Sequence, residues 1–309
     1  MKNRSNLTLK CAIAGALLAT TSVAHALVIT TSTDAGALTS TLAGTGISVV
    51  GGSESHIGTS TQGGTYSDFS LSNLSNTISI SDGIVLTSGD ATGIDLSGVT
   101  NTDSSFDGSL GTAGDADANA VLLAAGSPSS STNDANVLEF QFTVDSGMTS
   151  VSADFIFGSD EYPNQGVTDI FAFFVDDINY AFFPDGSLVN FLLGSPAATT
   201  YLNDNDVGNS DQYSDGAGDG FQYDGVTDLL SIVGLLDLTL ATHTLKVVVA
   251  DTSDTVFDSG AFISNLTAGT ETGGGINPNP VPSPAPLMLL LAGAISLLTS
   301  ARKRINSKS

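Results

Sequence analysis

Between Ala26 and Ala301 the chain carries a single basic residue, Lys246, against all 32 of its acidic ones. The other seven Lys and Arg stand at the two ends: Lys2, Arg4 and Lys10, then Arg302, Lys303, Arg304 and Lys308. The intervening stretch therefore has a formal charge of −31, one positive against 32 negative, steeper than the −24 of the whole chain. A field of this sign opposes compaction by self-repulsion, and it excludes nucleic acid and anionic membrane surfaces as direct partners. Of the acids, 28 are Asp and only Glu54, Glu139, Glu161 and Glu271 are Glu. Asp suits tight turns because its carboxylate bonds its own backbone, and it is a favoured oxygen ligand for calcium. An acidic, lysine-poor surface is also what solubility in salt demands, so composition leaves two readings open: a solvated coat, or a chain that takes hard cations as its counter-charge.

The ends of the chain read as targeting segments. "MKNRSNLTLKCAIAGALLATTSVAHA" has a positive start, an apolar stretch from Cys11 to Val23, and Ala24-His25-Ala26 in the small-x-small pattern of a signal-peptide cleavage site. An uncleaved anchor is the alternative, but the apolar run falls short of the roughly 20 residues a span needs. Cys11 is the only cysteine, so an exported chain has neither disulfide nor thiolate chemistry. At the other end a Gly/Pro linker, residues 272–280, precedes Val281-Pro282-Ser283-Pro284, an apolar stretch from Ala285 to Ala301 and a basic tail over 302–309. The apolar stretch is just long enough to cross a bilayer as a helix, with the basic cluster on the cytoplasmic side. An ordinary single-span anchor would look like this. The order of short Pro motif, span and basic cluster also resembles the PEP-CTERM sorting signal of Gram-negative bacteria. That resemblance implies processing by an exosortase-type enzyme and passage from the inner membrane to the cell surface or its matrix. Ser283 stands where the usual motif has glutamate.

Residues 27–271 read as one all-β domain, an antiparallel sandwich or jelly roll. "VLEFQFTV" alternates, with Leu138, Phe140, Phe142 and Val144 on one face and Glu139, Gln141 and Thr143 on the other. "VSADFIF" repeats the pattern with Val151, Ala153, Phe155 and Phe157 inward, and "DIFAFFV" and "YAFF" read as buried on both faces. Two short helices are expected, Asp34–Leu42 and Asp115–Ala124. His243 is expected to cap the start of a strand.

Catalytic signals are weak. Only His56 and His243 follow the leader, there is no Gly-x-Ser-x-Gly elbow, and two scattered histidines do not make a zinc site. Paired carboxylates could hydrolyse glycosidic bonds, but among 32 acids some pair will always fit. Calcium has better candidates. "LNDNDVGNSDQYSDGAGDGFQYDG" places Asp204, Asp206, Asp211, Asp215, Asp219 and Asp224 along a glycine-punctuated loop. Counted from Asp204 as an EF-hand loop, Asp206 and Asp215 fall at the third and twelfth positions, but Gly208 and Asn209 occupy the fifth and sixth. "DTSDTVFD" offers Asp251, Asp254 and Asp258 after a strong strand, and "FIFGSDEYPNQGVTD" offers Asp160, Glu161 and Asp169. The adjacent Asp160 and Glu161 are expected to diverge, one facing solvent and the other turned toward Asp169 or the loop after Asp251. This group either helps to hold calcium or accepts backbone N–H groups that fix the turn. Tyr201, Tyr213, Phe221 and Tyr223 are candidates for stacking on sugars or for core anchors.

Taken together, "GISVVGG", "SISDGIVLTSGDATG", "DADANAVLL", "DANVLEFQF", "FIFGSDEYPNQGVTDIFAFFV", "YDGVTDLL" and "THTLKVVVADTSDTVFDSGAFIS" resemble the choice-of-anchor L domain. This is a family of bacterial surface modules with a shared core and different C-terminal anchors. The most recognisable stretch departs in detail, with Asp160 where the family has glutamate and Thr168 where Asn is usual. The resemblance implies surface display and no particular chemistry. The resulting expectation is an exported, non-enzymatic cell-surface or matrix protein, calcium-assisted, with exopolysaccharide or surface glycans as partners. A lectin-like adhesive module is the alternative, and a carbohydrate-active hydrolase a third.

Overall fold

The computed structural model describes residues 27–71, 78–94, 108–162, 166–190 and 221–277, with residues 202–204 by their backbone. Strands are numbered in chain order. The first sheet runs in the order β1 (Val28–Thr31), β4 (Gly63–Ser67), β7 (Gly83–Thr87), β16 (Ser259–Gly269), β9 (Ser150–Ser159), β13 (Gly225–Thr227) and β12 (Leu202–Asp204). To it are added β14 (Leu230–Leu235), also paired with β9, and β17 (Gly275–Asn277) on β14. The second sheet runs β11 (Ile178–Asn179), β10 (Ile170–Val175), β15 (His243–Thr252), β8 (Thr132–Val144) and β2 (Ile47–Val49), with β3 (Ser55–Ile57) also on β8. A ribbon of β5 (Ser70–Leu71) and β6 (Ile78–Ser79) completes the strands, and every ladder between them is antiparallel.

The two sheets share one core. Phe155, Phe157, Ile84 and Ile263 from the first meet Leu138, Phe140, Phe171, Phe173 and Val247 from the second. The rings of Phe155 and Phe171 stack at 4.9 Å across the interface. The period-two reading of "VLEFQFTV" and "VSADFIF" therefore identifies the inward faces. The outer faces are covered too, and this the alternation did not show. Ile156, expected outward on β9, joins Val85, Phe262, Phe69, Phe221 and Tyr223 in a second cluster on the far side of the first sheet. A third cluster on the second sheet's outer face takes Ala118 and Leu122 from a helix.

Both expected helices form, each for the reason visible in the sequence. α1 (Ala35–Leu42) starts where the Asp34 side chain accepts from the Ala37 N–H. α2 (Ala116–Ala125) starts where Asp115 accepts from Asp117 and Ala118, and it stops at Gly126, whose φ of 72° suits a residue without Cβ. No described helix is long and apolar enough to cross a membrane; the expected span at 285–301, the linker beyond Asn277, the sorting motif Val281–Pro284 and the leader with Ala24 and Ala26 lie outside the described residues.

Tyr223 shows how close the outer packing is. Its side chain lies over the paired Gly158 and Gly260, where an added Cβ would come within 2.6 Å of a ring carbon and 2.4 Å of the hydroxyl oxygen. Gly260→Ala should therefore cost about 1–3 kcal/mol by overpacking, seen as a lowered urea midpoint. Gly51→Ala, where nothing lies within 4 Å, should leave the midpoint unchanged; equal effects of the two would refute this packing.

Candidate metal centre

Two connections cross between the sheets at the same end of the sandwich. β9 leaves the first sheet at Ser159, and the chain passes through Asp160, Glu161 and Asp169 to enter β10 in the second. β15 leaves the second sheet after Thr252 and passes through Asp254 and Asp258 to enter β16 in the first. Strand register brings these ends together: Ser159 pairs with Ser259 and with Gly225, and Ile170 pairs with Ala250, which sets Asp169 beside Asp251. Asp224, just before β13, enters the same place, and its N–H donates to Asp160 Oδ1 at 3.1 Å.

The result is a group of buried carboxyls. Asp160, Asp251, Asp258 and Asp134 are 0 % exposed, Asp169 is 1 %, and Glu161 and Asp224 are 3 %. Asp160 and Glu161 do not diverge as expected. The β9 strand ends at Ser159 and a turn begins, so strand alternation no longer applies and both side chains are buried. Asp254 stays exposed at the rim, its Oδ1 accepting from the Val256 N–H at 3.3 Å. Lys246, the only Lys or Arg between the chain ends, is committed elsewhere: its Nζ lies 2.7 Å from Asp115 and 2.6 Å from Asp117.

Donors serve these acids unequally. Asp134, held at a φ of 43°, accepts from the N–H groups of Leu110, Gly111 and Thr112 and from the Thr112 hydroxyl. Asp258 Oδ2 accepts from the Gly108 N–H at 2.6 Å and fills the space where a Cβ on Gly89 would stand, 1.7 Å away. Asp169 Oδ1 accepts from the Thr252 N–H at 3.2 Å, its Oδ2 has no partner with hydrogen-bond geometry, and the nearby Ser259 hydroxyl favours its charged form only in part. Neither oxygen of Asp251 has a partner with hydrogen-bond geometry, and the buried hydroxyls of Thr168 and Thr252 are also unpaired. Beneath them a serine chain ties the strands: Ser259 Oγ donates to Ser159 Oγ at 2.7 Å, and the Ser259 N–H donates to Ser88 Oγ at 3.0 Å.

Such crowding shifts the acids upward. Glu161 is pushed up to about 9, first by burial and then by the charges of Asp254 and Asp251. Asp251 rises to about 8, chiefly by burial; the nearby Ser88 hydroxyl and Asp169 partly offset this, while Asp258 and Asp134 add to it. Asp169 moves well above the usual range through burial and then through Asp251 and Glu161. Without a cation, the folded protein answers this crowding by holding protons. Among the described residues no group of three or more His, Cys, Asp or Glu is already arranged to hold a metal ion. The acids border one region without converging on a point. Calcium takes six to eight oxygens, including neutral and water oxygens, so it does not need three convergent carboxylates. The unpaired oxygens of Asp169 and Asp251 fit it, with the Thr168 and Thr252 hydroxyls as neutral oxygens close in sequence.

A model of the choice-of-anchor L domain matches residues 28–267. The chain belongs to the choice-of-anchor L family. It is accordingly a surface-associated protein. No curated protein and no solved structure matches it. In this family member, Asp160, Glu161 and Asp169 of one expected set, Asp251 and Asp258 of the second, and Asp224 of the glycine-punctuated loop lie buried at the same end of the sandwich, while Asp254 of the second set stays exposed. Asp206, Asp211, Asp215 and Asp219 lie outside the described residues, and Asp204 is placed only as backbone of β12. Sequence reasoning missed Asp134, Ser88 and Gly89. Nothing in the "TSGDATG" stretch signalled that Gly89 abuts Asp258. Phe221 and Tyr223 are both fully buried, so they are core anchors and unavailable to sugars.

The raised acids give a pH dependence of unusual sign. From about pH 4 upward the unfolded chain releases protons that Glu161 and Asp251 keep until about 9 and 8 in the folded state. Folding then binds protons, so this stability is fully present below the unfolded pKa values and is lost as pH rises toward 9. The melting temperature of protein stripped of divalent ions should fall steadily from pH 5 to 9. Asp251→Asn should flatten that slope; a melting temperature rising over the same range would contradict the arrangement.

Proposed function

We propose that the chain is an exported, non-enzymatic module of the Gram-negative cell surface or extracellular matrix, with calcium as counter-ion of its buried carboxyls. The observation carrying the calcium reading is the pair Asp169 and Asp251, buried with three oxygens lacking donors and no basic side chain to meet them. Unpaired buried charge costs several kcal/mol per ion, and a bound divalent cation supplies the missing positive charge. Asp169 and Asp251 would hold it, with Glu161 and Asp258 adjoining. Sites of this kind in extracellular modules bind calcium at about 10⁻⁴ to 10⁻³ M.

Three features support the non-enzymatic reading. The acids are too deeply buried for a polymer to reach. His243 Nδ1 is held 2.8 Å from Asp176 Oδ2 at the start of β15, and His56 Nε2 2.8 Å from Asn136 Oδ1. Both imidazoles thus have structural partners. Export and sorting rest on the leader ending at Ala26, the Val281–Pro284 motif, the apolar 285–301 stretch and the basic tail. An exosortase-type enzyme would act there, after transient retention in the inner membrane.

Calcium titrated into stripped protein should release heat and, at a hundredfold excess over Kd, raise the melting temperature by roughly 5–10 °C. Asp169→Asn combined with Asp251→Asn should abolish both effects. Absence of heat together with an unmoved melting temperature in the unmutated protein would remove calcium from the proposal. Mass spectrometry of protein recovered from its host should find Leu27 first and an end near Val281–Pro284; a retained 285–301 segment would mean a membrane anchor instead.

A further inference from the structure

We infer that His56 is an acid-sensitive latch, holding β3 against β8 while its ring is neutral and releasing the strand when the ring is protonated. The inference goes beyond the surface role proposed above and depends on neither calcium nor export. β3 is three residues long and, among the described residues, pairs only with β8, which sets Ser55, His56 and Ile57 opposite Glu139, Leu138 and Val137. Ser55 and Ile57 are exposed, so His56 is the one side chain by which the strand is attached inward.

The hydrogen bonds behind the ring fix its tautomer. Asn136 Nδ2 donates to the Gln62 carbonyl at 2.6 Å, which leaves Asn136 Oδ1 as an acceptor. His56 Nε2, 2.8 Å from that oxygen, therefore carries the proton of the neutral ring. Gln62 is itself buried and engaged: its Nε2 donates to the carbonyls of Ser88 and Asp134 at 3.0 and 2.8 Å, and its Oε1 accepts from the Thr59 N–H at 2.7 Å. Turning either amide would break these bonds. His56 Nδ1 is left as a buried lone pair without a hydrogen-bond partner among the described residues. Gly58 and Gly63 hem in the ring, since a Cβ on either would stand 3.2 Å from it.

A proton on Nδ1 meets no acceptor there, and no carboxylate is turned toward it. Glu139 faces the opposite side of the sheet, being the partner of Ser55 rather than of His56. Glu54 Oε2 accepts from the Gly52 N–H at 2.6 Å in the preceding turn, and the Asp134 carboxylate is held by the loop from Leu110 to Thr112. α1 and β7 contain no titratable side chain, and Tyr66, the one in β4, donates its hydroxyl to the Ser81 carbonyl. Burial accordingly holds the ring below the usual histidine value, and the bond to Asn136 offsets this only in part. Once β3 is released, the ring reaches water and takes its proton at the ordinary value of about 6.5. The attachment of β3 is therefore complete above about pH 6.5 and weakens as pH falls below it, the opposite sign to the crossover acids. Release bares the β8 edge from Val137 to Glu139, a template for pairing with another strand.

Amide exchange of the full-length protein, corrected for intrinsic rates, tests the latch through the protection of peptides spanning Ser55–Ile57 between pH 7.5 and 4.5. Protection there should fall several-fold toward acid while that of β15 holds. His56→Gln offers Asn136 an amide donor that cannot take a proton, and it should keep its neutral-pH protection throughout. The crossover acids titrate alike in both proteins, so the difference belongs to His56. The ring itself, followed by NMR in the unmutated protein, should titrate with a midpoint below about 6.5. A midpoint at or above that value, protection that does not change with pH, or the same acid loss in His56→Gln overturns the inference.

Discussion

The arrangement of this domain turns on mutual repulsion among acids gathered at one end of a β-sandwich with no basic side chain to divide them. In most proteins a buried aspartate stands near Arg or Lys, and the pair shares the desolvation cost. Here Lys246 is the only basic residue between the termini, and it bridges Asp115 and Asp117 over the ring of Phe174. It ties the start of α2 to the middle of the second sheet. The crossovers at the sandwich end must be stabilised by other means.

Two other means are visible, and they divide the acids into two sets. Asp134 is surrounded by N–H groups of a single loop, so its carboxylate organises the backbone from Leu110 to Thr112 much as an anion organises a nest. Asp160 works similarly on a smaller scale, accepting from Asp224 while its own N–H donates to the Asp258 carbonyl. These carboxylates are structural in the ordinary sense: they terminate strands and fix turns. Asp169 and Asp251 differ because they stand side by side on paired strand ends whose N–H groups are mostly used in the ladder. Their free oxygens are a consequence of register. Only something arriving from solution, a proton or a metal ion, can supply what the chain does not.

Much of the scaffold was legible in the sequence because its rules are local. A strand's inward face follows from period two, and each helix start follows from an aspartate able to cap it. The buried outer faces were not legible, since they depend on which loops fold back over the sheet. Ile156 and Tyr223 are covered by residues distant in sequence. The acidic site failed to appear as one object for the same reason. Asp160, Asp224 and Asp251 are far apart along the chain and meet only once β9, β13, β15 and β16 are in register. The divergence expected of Asp160 and Glu161 carried strand alternation past Ser159, where β9 ends and a turn begins.

Charge imbalance also shapes the rest of the surface. A domain so negative keeps polyanions at a distance and gathers cations loosely over its whole exterior, so neither kind of ion can be selected by field alone. Selection must come from desolvated, fixed groups. In the proposed calcium reading, the buried carboxyls at the crossovers would supply such groups, because a hard cation interacts more strongly with oxygens held away from water. The same shortage of lysine and arginine thus leaves the buried acids at the crossovers to be balanced from solution, by protons or by a cation.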